Sequence, residues 1–386
     1  MEIFCFRNKG SGMQRENKKI GAGIIFNITG SWIEEMLKMK KGVIVEFRTV
    51  VALDAMGGDN APGEIVKGAV YALKERKDVK ICFYGDQNKI KTELAKYTFE
   101  EEQVEIIHTT EEISCDESPA VAIKKKKDSS LVAALRAVKE GKCDAFVSAG
   151  SSGAILVGGQ VIVGKCKGVK RAPLAPLVPT EKGVSLLIDC GANVDARPEH
   201  LVQFAQMGSL YMEHVVGVNK PKVAIVNIGA EEAKGNALVK ETYPLLKECP
   251  GIHFVGSIEA RDIPKGDVDV IVTEAFVGNV ILKLEEGLAS TLLSVVKKGM
   301  LSSLRGKIGG LLVKPSLKKT LKTFDASEYG GAPLLGLKGL VVKIHGSSSA
   351  KETKNAILQC ISFKEARINE KIMEHLTPVK ESTEIK

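Results

Sequence analysis

From Arg48 onward, short apolar runs alternate with stretches of helical spacing. The runs stand at 50–53, 80–84, 103–107, 144–148, 184–188, 222–228, 252–255, 268–272 and 339–344. Apolar runs of this kind, bounded by turn residues, mark strands buried on both faces. Between them helical patterns lie at 63–76, 87–97, 128–141, 199–214, 233–248 and 278–298. The alternation predicts a mainly parallel sheet covered by helices on both faces. Ligands of such sheets bind beyond the carboxyl ends of the strands, in the turns that follow. Here those turns are rich in Gly, Asp, Asn and Ser, and there is no internal repeat.

One stretch departs from this pattern. Lys297, Lys298, Arg305, Lys307, Lys314, Lys318, Lys319 and Lys322 crowd into 297–322, with no acid until Asp325. Among them Met300, Leu301, Leu304, Ile308, Leu311 and Leu312 recur at three- and four-residue steps, the spacing of one helix face. Pro315 is expected to end or kink that helix. One reading is a helix on the sheet with a solvated basic rim. The other is a projecting helical hairpin across 295–325, its apolar tip dipping into a bilayer and its cations meeting anionic lipid heads or an acidic protein. In the second reading the contacts are Arg305, Lys307, Leu311, Leu312, Lys314, Lys318 and Lys319.

The ends read differently from the middle. Residues 1–47 lack a long periodic segment and an apolar signal core, so they form either a disordered extension or a misplaced start, with Val45 as an alternative initiator. Residues 48–365 form one α/β domain, and 366–386 a polar C-terminal tail. The eight cysteines are scattered, with no C-x-x-C, which points away from a disulfide framework or zinc site and toward a reduced, cytoplasmic setting. No apolar run approaches the ~20 residues that span a bilayer. A net charge of +8 suits an anionic partner, whereas one Trp and six Tyr argue against a base-stacking surface, so nucleic acid is not expected.

Candidate chemistry lies in the turns. Asp54-Ala55-Met56-Gly57-Gly58-Asp59 follows the first strand, and its glycines allow close backbone approach to a ligand. Gly150-Ser151-Ser152-Gly153 opens a helix and offers hydroxyls and free N–H groups to a phosphate. It is not a G-x-S-x-G elbow, because residue 154 is Ala. Gly159–Lys165 fits G-x-x-x-x-G-K, but Cys166 replaces the Ser/Thr of a P-loop, and no dinucleotide fingerprint follows a strand. Asn193, His200, Asn227, Lys234, Asn236, Asn279, Gly330 and Gly331 stand in further turns. His345-Gly346-Ser347 follows the last strand, a good place for acid–base work. No metal-ligand set is present.

Seven segments in order carry a family resemblance: VALDAMGGDNAP (51–62), SPAVAIKKKKDSS (118–130), VSAGSSGA (147–154), IDCGANVDARPEHLVQFAQMG (188–208), VNIGAEEAKGNALVKETY (226–243), GSIEARDIPKGDVDVIVTEAFVGNVILKLEEG (256–287) and SEYGGAPLLGLKGLVVKIHGSSSAKETKNAI (327–357). Together they resemble the bacterial phosphate acyltransferase (PlsX) family. Departures are small: GSSG at 150–153 in place of a Gly-Asn-Thr-Gly type of turn, and Ala230 and Ala233 where Glu and Gly are usual.

The resemblance implies Rossmann-like α/β/α layers, similar to isocitrate and isopropylmalate dehydrogenases and to phosphotransacetylases. It implies transfer of a long-chain acyl group from acyl carrier protein to inorganic phosphate, without a cofactor. It further implies a homodimer whose acyl phosphate goes to a membrane glycerol-3-phosphate acyltransferase. Phosphate is then the nucleophile, so the protein has to bind it, place the thioester and stabilise an oxyanion. Gly150–Gly153, Lys234 and His345–Ser347 are the expected phosphate cradle. Asn193 and Asn236 are the expected oxyanion donors, His200 a further acid–base candidate, and Asp54 and Asp59 orienting groups. A phosphate acetyltransferase, an NAD-dependent decarboxylating dehydrogenase and a basic membrane scaffold are the alternatives.

Overall fold

The structure is a computed structural model that describes residues 47–376 except 322 and 323, with 318, 319 and 326 described by backbone alone. The expectations for 1–46, for 377–386, for Lys322 and for the side chains of Lys318 and Lys319 lie outside the described residues. From Phe47 on, the chain forms one unit built on two sheets rather than the single sheet the alternation suggested.

The first sheet has the order β10-β11-β4-β1-β2-β3. Its strands are β1 (Thr49–Asp54), β2 (Val79–Gly85), β3 (Val104–His108), β4 (Ala145–Ser148), β10 (Ala332–Leu334) and β11 (Leu340–Lys343). The second runs β5-β6-β9-β7-β8: β5 (Leu177–Thr180), β6 (Gly183–Ile188), β7 (Lys222–Val226), β8 (His253–Ile258) and β9 (Val270–Val272). All pairings are parallel except β10 with β11 and β5 with β6. Those two antiparallel edge strands escaped the sequence pattern because each carries a proline, Pro333 or Pro179. A proline cannot donate to a ladder and is accepted at a sheet edge.

Helices cover the sheets: α1 (Gly63–Glu75), α2 (Gln87–Leu94), α3 (Pro119–Lys125), α4 (Ser130–Lys139), α5 (Ser152–Gly158, continued by a π turn to Val163), α6 (Pro198–Tyr211, continued by a π turn to Val216) and α7 (Ala237–Lys247). Four more follow: α8 (Ala275–Leu301), α9 (Leu304–Leu321), α10 (Ala350–Glu365) and α11 (Ile368–His375). A continuous apolar core joins the two sheets through α6, α10 and α11. Within it the buried Tyr211 hydroxyl accepts a hydrogen bond from Gln359 Nε2 at 2.7 Å, tying α6 to α10. The polar tail expected from residue 366 is corrected here, because α11 buries Ile368 and Ile372 against that core. Helical spacing, not mean polarity, was the signal there.

The two longest described helices, α8 and α9, make the hairpin. At 1.5 Å per residue α8 is about 40 Å long. Only its first turns are packed, through Ala275, Gly278 and Ile281. Gly278 is obligatory, since a Cβ there would lie 1.9 Å from the carbonyl oxygen of Asp189. From Leu284 to Leu317 the leucines and valines are exposed on helices that leave the body. The single helix face read from Met300 to Leu312 is in fact split by a turn at 302–303, and Pro315 lies inside α9 without ending it. No helix among the described residues is long and apolar enough to cross a membrane.

On the packed side of α8, burial alone pushes the Glu285 carboxyl up to about 7 from its ordinary value of 4.5. Between those values the folded chain holds a proton that the unfolded chain has released, so stability falls as pH rises through that window. Glu285→Gln removes this dependence. Discounted for the part of Glu285 still in water, the expected gain is about 1–2 kcal/mol at pH 8 and smaller at pH 5, read from denaturant melts. Equal gains at both pH values would refute it.

Candidate active site

Three turns at the carboxyl end of the first sheet are locked together. Asp54, at the end of β1, is buried and accepts hydrogen bonds from Ser148 Oγ at 2.6 Å and from the Met56 N–H at 3.2 Å. Burial pushes its pKa up, and these bonds oppose that shift. Ser148 Oγ in turn accepts from the Gly150 N–H at 2.9 Å. Gly57 sits over this pair, where a Cβ would lie 2.6 Å from Asp54 Oδ2 and 2.7 Å from the Gly150 nitrogen. The Asp59 N–H donates to the Gly346 carbonyl at 2.7 Å, and Asn60 Nδ2 donates to the Ser347 carbonyl at 3.0 Å. Asp54, Gly57 and Gly58 thus build the frame, as orienting groups behind the surface.

Across a cleft of about 680 Å³ stand the turns of the second sheet and the first half of α8. The cleft is lined on one side by Asp59, Gly150, Ser152, Gly153, Gly330, Gly331, His345 and Gly346, and on the other by Gly191, Asn279, Lys283 and Glu286. Nine of the sequence candidates therefore meet in one place. Ser152 is exposed, and Ser151 caps α5 by accepting from the Ala154 N–H. His345 Nδ1 lies 3.2 Å from the Ser347 backbone nitrogen and 2.8 Å from the Ser347 hydroxyl, which fix the ring at the mouth of this turn. Glu274 caps α8, accepting from the Phe276 and Val277 N–H groups at 2.6 and 2.8 Å, and so fixes the helix that carries Asn279 and Lys283.

The residue missed from sequence is Lys343, the last of β11. It lines the cleft, and none of the described residues accepts a hydrogen bond from its Nζ. Burial, and then the Lys283 ammonium, push its pKa down, against the pull of Glu286 and Glu352. Lys283 itself is paired with Glu286 at 2.6 Å. Lys343 is thus a partly desolvated cation facing a cavity. A charged residue closing an apolar strand was the one sequence signal for it.

Other candidates are placed elsewhere. Both amide protons of Asn193 are engaged, to Asp189 Oδ2 at 2.7 Å and the Ala172 carbonyl at 3.0 Å, so this buried side chain has none left for an oxyanion. His200 lies in the first turn of α6, where Nδ1 accepts from the Arg197 N–H at 3.0 Å; burial lowers its pKa. It does not line the cleft. Asn227 bonds to Ser257 and to the Lys234 carbonyl, and Asn236 caps α7. Lys234 pairs with Glu231 at 2.9 Å. Asn227 and Asn236 line a smaller cavity of about 330 Å³ with Phe276 and Val277, on a different face of α8 from Asn279 and Lys283. The expected cradle therefore divides into two groups, because β7 directs its turn to that other face.

Known proteins are consistent with this geometry. The chain is 50% identical over 327 residues to a phosphate acyltransferase of Clostridium acetobutylicum, covering 85% of this chain and 98% of the relative. A phosphate acyltransferase of Alkaliphilus oremlandii is also 50% identical, covering 85% and 96%. Among solved structures, the EutD phosphotransacetylase from Staphylococcus aureus shares the fold at a TM-score of 0.54 and 17% identity, covering 87% of this chain and 98% of that one. A phosphotransacetylase from Streptococcus pyogenes does so at 0.54 and 17%, covering 89% and 99%. A profile of the family described as fatty acid synthesis protein matches residues 49–371. With that match across both sheets and half-identical relatives, the chain belongs to the fatty acid synthesis protein family and is an acyltransferase.

Proposed function

We propose that the enzyme moves a long-chain acyl group from the thioester of acyl carrier protein to inorganic phosphate, giving acyl phosphate and the free carrier thiol. The observation that carries this reading is the cleft itself: the partly desolvated Lys343, the His345 imidazole and the exposed Ser152 at the start of α5 line one space. Phosphate is already an anionic nucleophile near neutral pH. Its oxygen attacks the thioester carbonyl, the C–S bond breaks through a tetrahedral oxyanion, and the electron pair leaves on sulfur. A thiol pKa of about 8.5 makes that departure easy without a strong acid. Cys190 also lines the cleft, but burial pushes its thiol up, so it is a poor covalent nucleophile. Positioning and electrostatic stabilisation supply the rate.

Incubation of the enzyme with palmitoyl carrier protein and phosphate, without added metal, is expected to release the carrier thiol and form acyl phosphate, trapped as the hydroxamate. Turnover of acetyl-CoA in its place, or reduction of NAD, would overturn the reading. The same reading includes a C2 homodimer, the commonest closed assembly. It also includes a cytoplasmic enzyme that visits anionic membranes through the α8–α9 hairpin, Arg305, Lys307 and Lys314 included, to deliver its product to a membrane glycerol-3-phosphate acyltransferase. The exposed leucines and basic side chains of the hairpin support the last point.

A further inference from the structure

Three carboxylates, Asp59, Glu286 and Glu352, line the cleft against two ammonium groups, Lys283 and Lys343. Such a wall is ill suited to a fully deprotonated anion, because like charges repel strongly where water is partly excluded. Two of the three acids are already engaged. Glu286 pairs with Lys283 at 2.6 Å, and Glu352 accepts the His345 N–H at 3.2 Å. Asp59 is different: none of the described residues donates a hydrogen bond to its carboxylate or pairs with it. Nor does it cap α1, since Pro62 stands at that cap and no side chain accepts there. Its place is nonetheless fixed. The Asp59 N–H donates to the Gly346 carbonyl at 2.7 Å, and Asp59 Oδ2 would lie 3.6 Å from a Cβ on Gly346. Gly58, at a φ of +98°, is wedged in beside it, where a Cβ would lie 2.7 Å from Ala149 Cβ and 2.8 Å from the Gly346 carbonyl oxygen. The turn is thus held between the ends of β4 and β11, with the free carboxylate beside the His345–Ser347 turn on the first-sheet wall of the cleft.

We infer that Asp59 accepts the P–O–H hydrogen of bound phosphate and so makes the cleft select a protonated oxyanion over one that carries no proton. The inference rests on the acyl-transfer reading, in which phosphate is the nucleophile, and adds the residue that recognises it. Near neutral pH phosphate keeps a hydrogen on one of its oxygens, whereas sulfate keeps none. A carboxylate can only accept. Phosphate therefore turns its hydroxyl to Asp59 and its bare oxygens to Lys343 and the exposed Ser152 hydroxyl. Sulfate has nearly the same size and shape but brings only lone pairs to Asp59, so two acceptors face each other with no hydrogen between them. A site built around a substrate hydroxyl rejects an analogue without one far more strongly than an apolar pocket rejects a small change of size.

Asp59→Asn keeps the shape of the side chain and adds an N–H donor; Asp59→Ala removes the acceptor outright. Binding of inorganic phosphate and of sodium sulfate to the parent and both variants is measured by titration calorimetry at equal ionic strength, with thermal unfolding to check that each is folded. The parent is expected to bind phosphate at least about tenfold more tightly than sulfate. In Asp59→Asn that ratio is expected to fall about tenfold, with sulfate becoming a competitive inhibitor against phosphate in acyl transfer, and in Asp59→Ala the ratio falls as well. A parent that binds the two anions equally, or a ratio unchanged in both folded variants, overturns the inference. So does an equal change in affinity for both anions, which is what loss of a negative charge alone would produce. A preference for phosphate that is lost in Asp59→Asn supports the inference even where the parent forms no acyl phosphate, and that second result overturns the acyl-transfer reading instead.

Discussion

Replacing Lys343 by Met is expected to lower kcat/KM for phosphate by about 100-fold, some 2.7 kcal/mol of transition-state stabilisation. The argument starts from burial. Lys343 gives up part of its hydration at the end of β11 and gains no hydrogen-bond acceptor among the described residues in return. Its pKa is held below the usual lysine value by burial and by Lys283. A phosphate bound in the cleft reverses both effects, because an anion favours the charged amine. Binding is then linked to the Lys343 proton, and the parent's apparent KM for phosphate should rise as pH increases through the depressed pKa. Lys343→Arg separates charge from position. Arginine stays protonated throughout this range, so that variant should retain phosphate binding and lose the alkaline rise in KM. If Lys343→Met leaves the phosphate KM and its pH profile unchanged, the anion site lies elsewhere, with the Lys234 turn the first place to look.

The nine other strands described were legible in the sequence as short apolar runs bounded by turn residues. The antiparallel edge strands β5 and β10 were hidden by Pro179 and Pro333. The start of α5 was legible at the Gly150–Gly153 turn, but its continuation was hidden by Gly158, which packs where a Cβ would lie 2.5 Å from Leu135 Cδ1. The turns after β1, β4 and β11 were legible as site turns from their position at strand ends. What sequence could not supply was direction. Asn193 and the Asn227–Asn236 turn have the residue types of a polar site, yet the first is engaged by Asp189 and the second opens on another face of α8. Lys343 has the opposite history, since it reads as the polar end of a strand. It gains meaning once α8 brings Lys283 and Glu286 beside it.

The double variant Leu304→Glu with Leu312→Glu is expected to weaken binding to anionic vesicles by on the order of 10²–10³-fold. Leu304 and Leu312 are 76% and 77% exposed at the far end of the hairpin. Burying each leucine among acyl chains contributes about 2 kcal/mol, and each nearby cation about 1 kcal/mol at an anionic surface. The glutamates remove the first contribution and oppose the second. Because the cationic part is screened, the parent should also release from vesicles at high salt, and more readily than from apolar attachment alone. The tip is remote from the cleft, so hexanoyl transfer in solution provides a test of whether the enzyme is otherwise intact. Pelleting with phosphatidylglycerol-containing vesicles at low and high salt measures both effects. If the double variant pellets as the parent does, the hairpin tip is not the membrane contact, and its exposed leucines then belong to a protein interface.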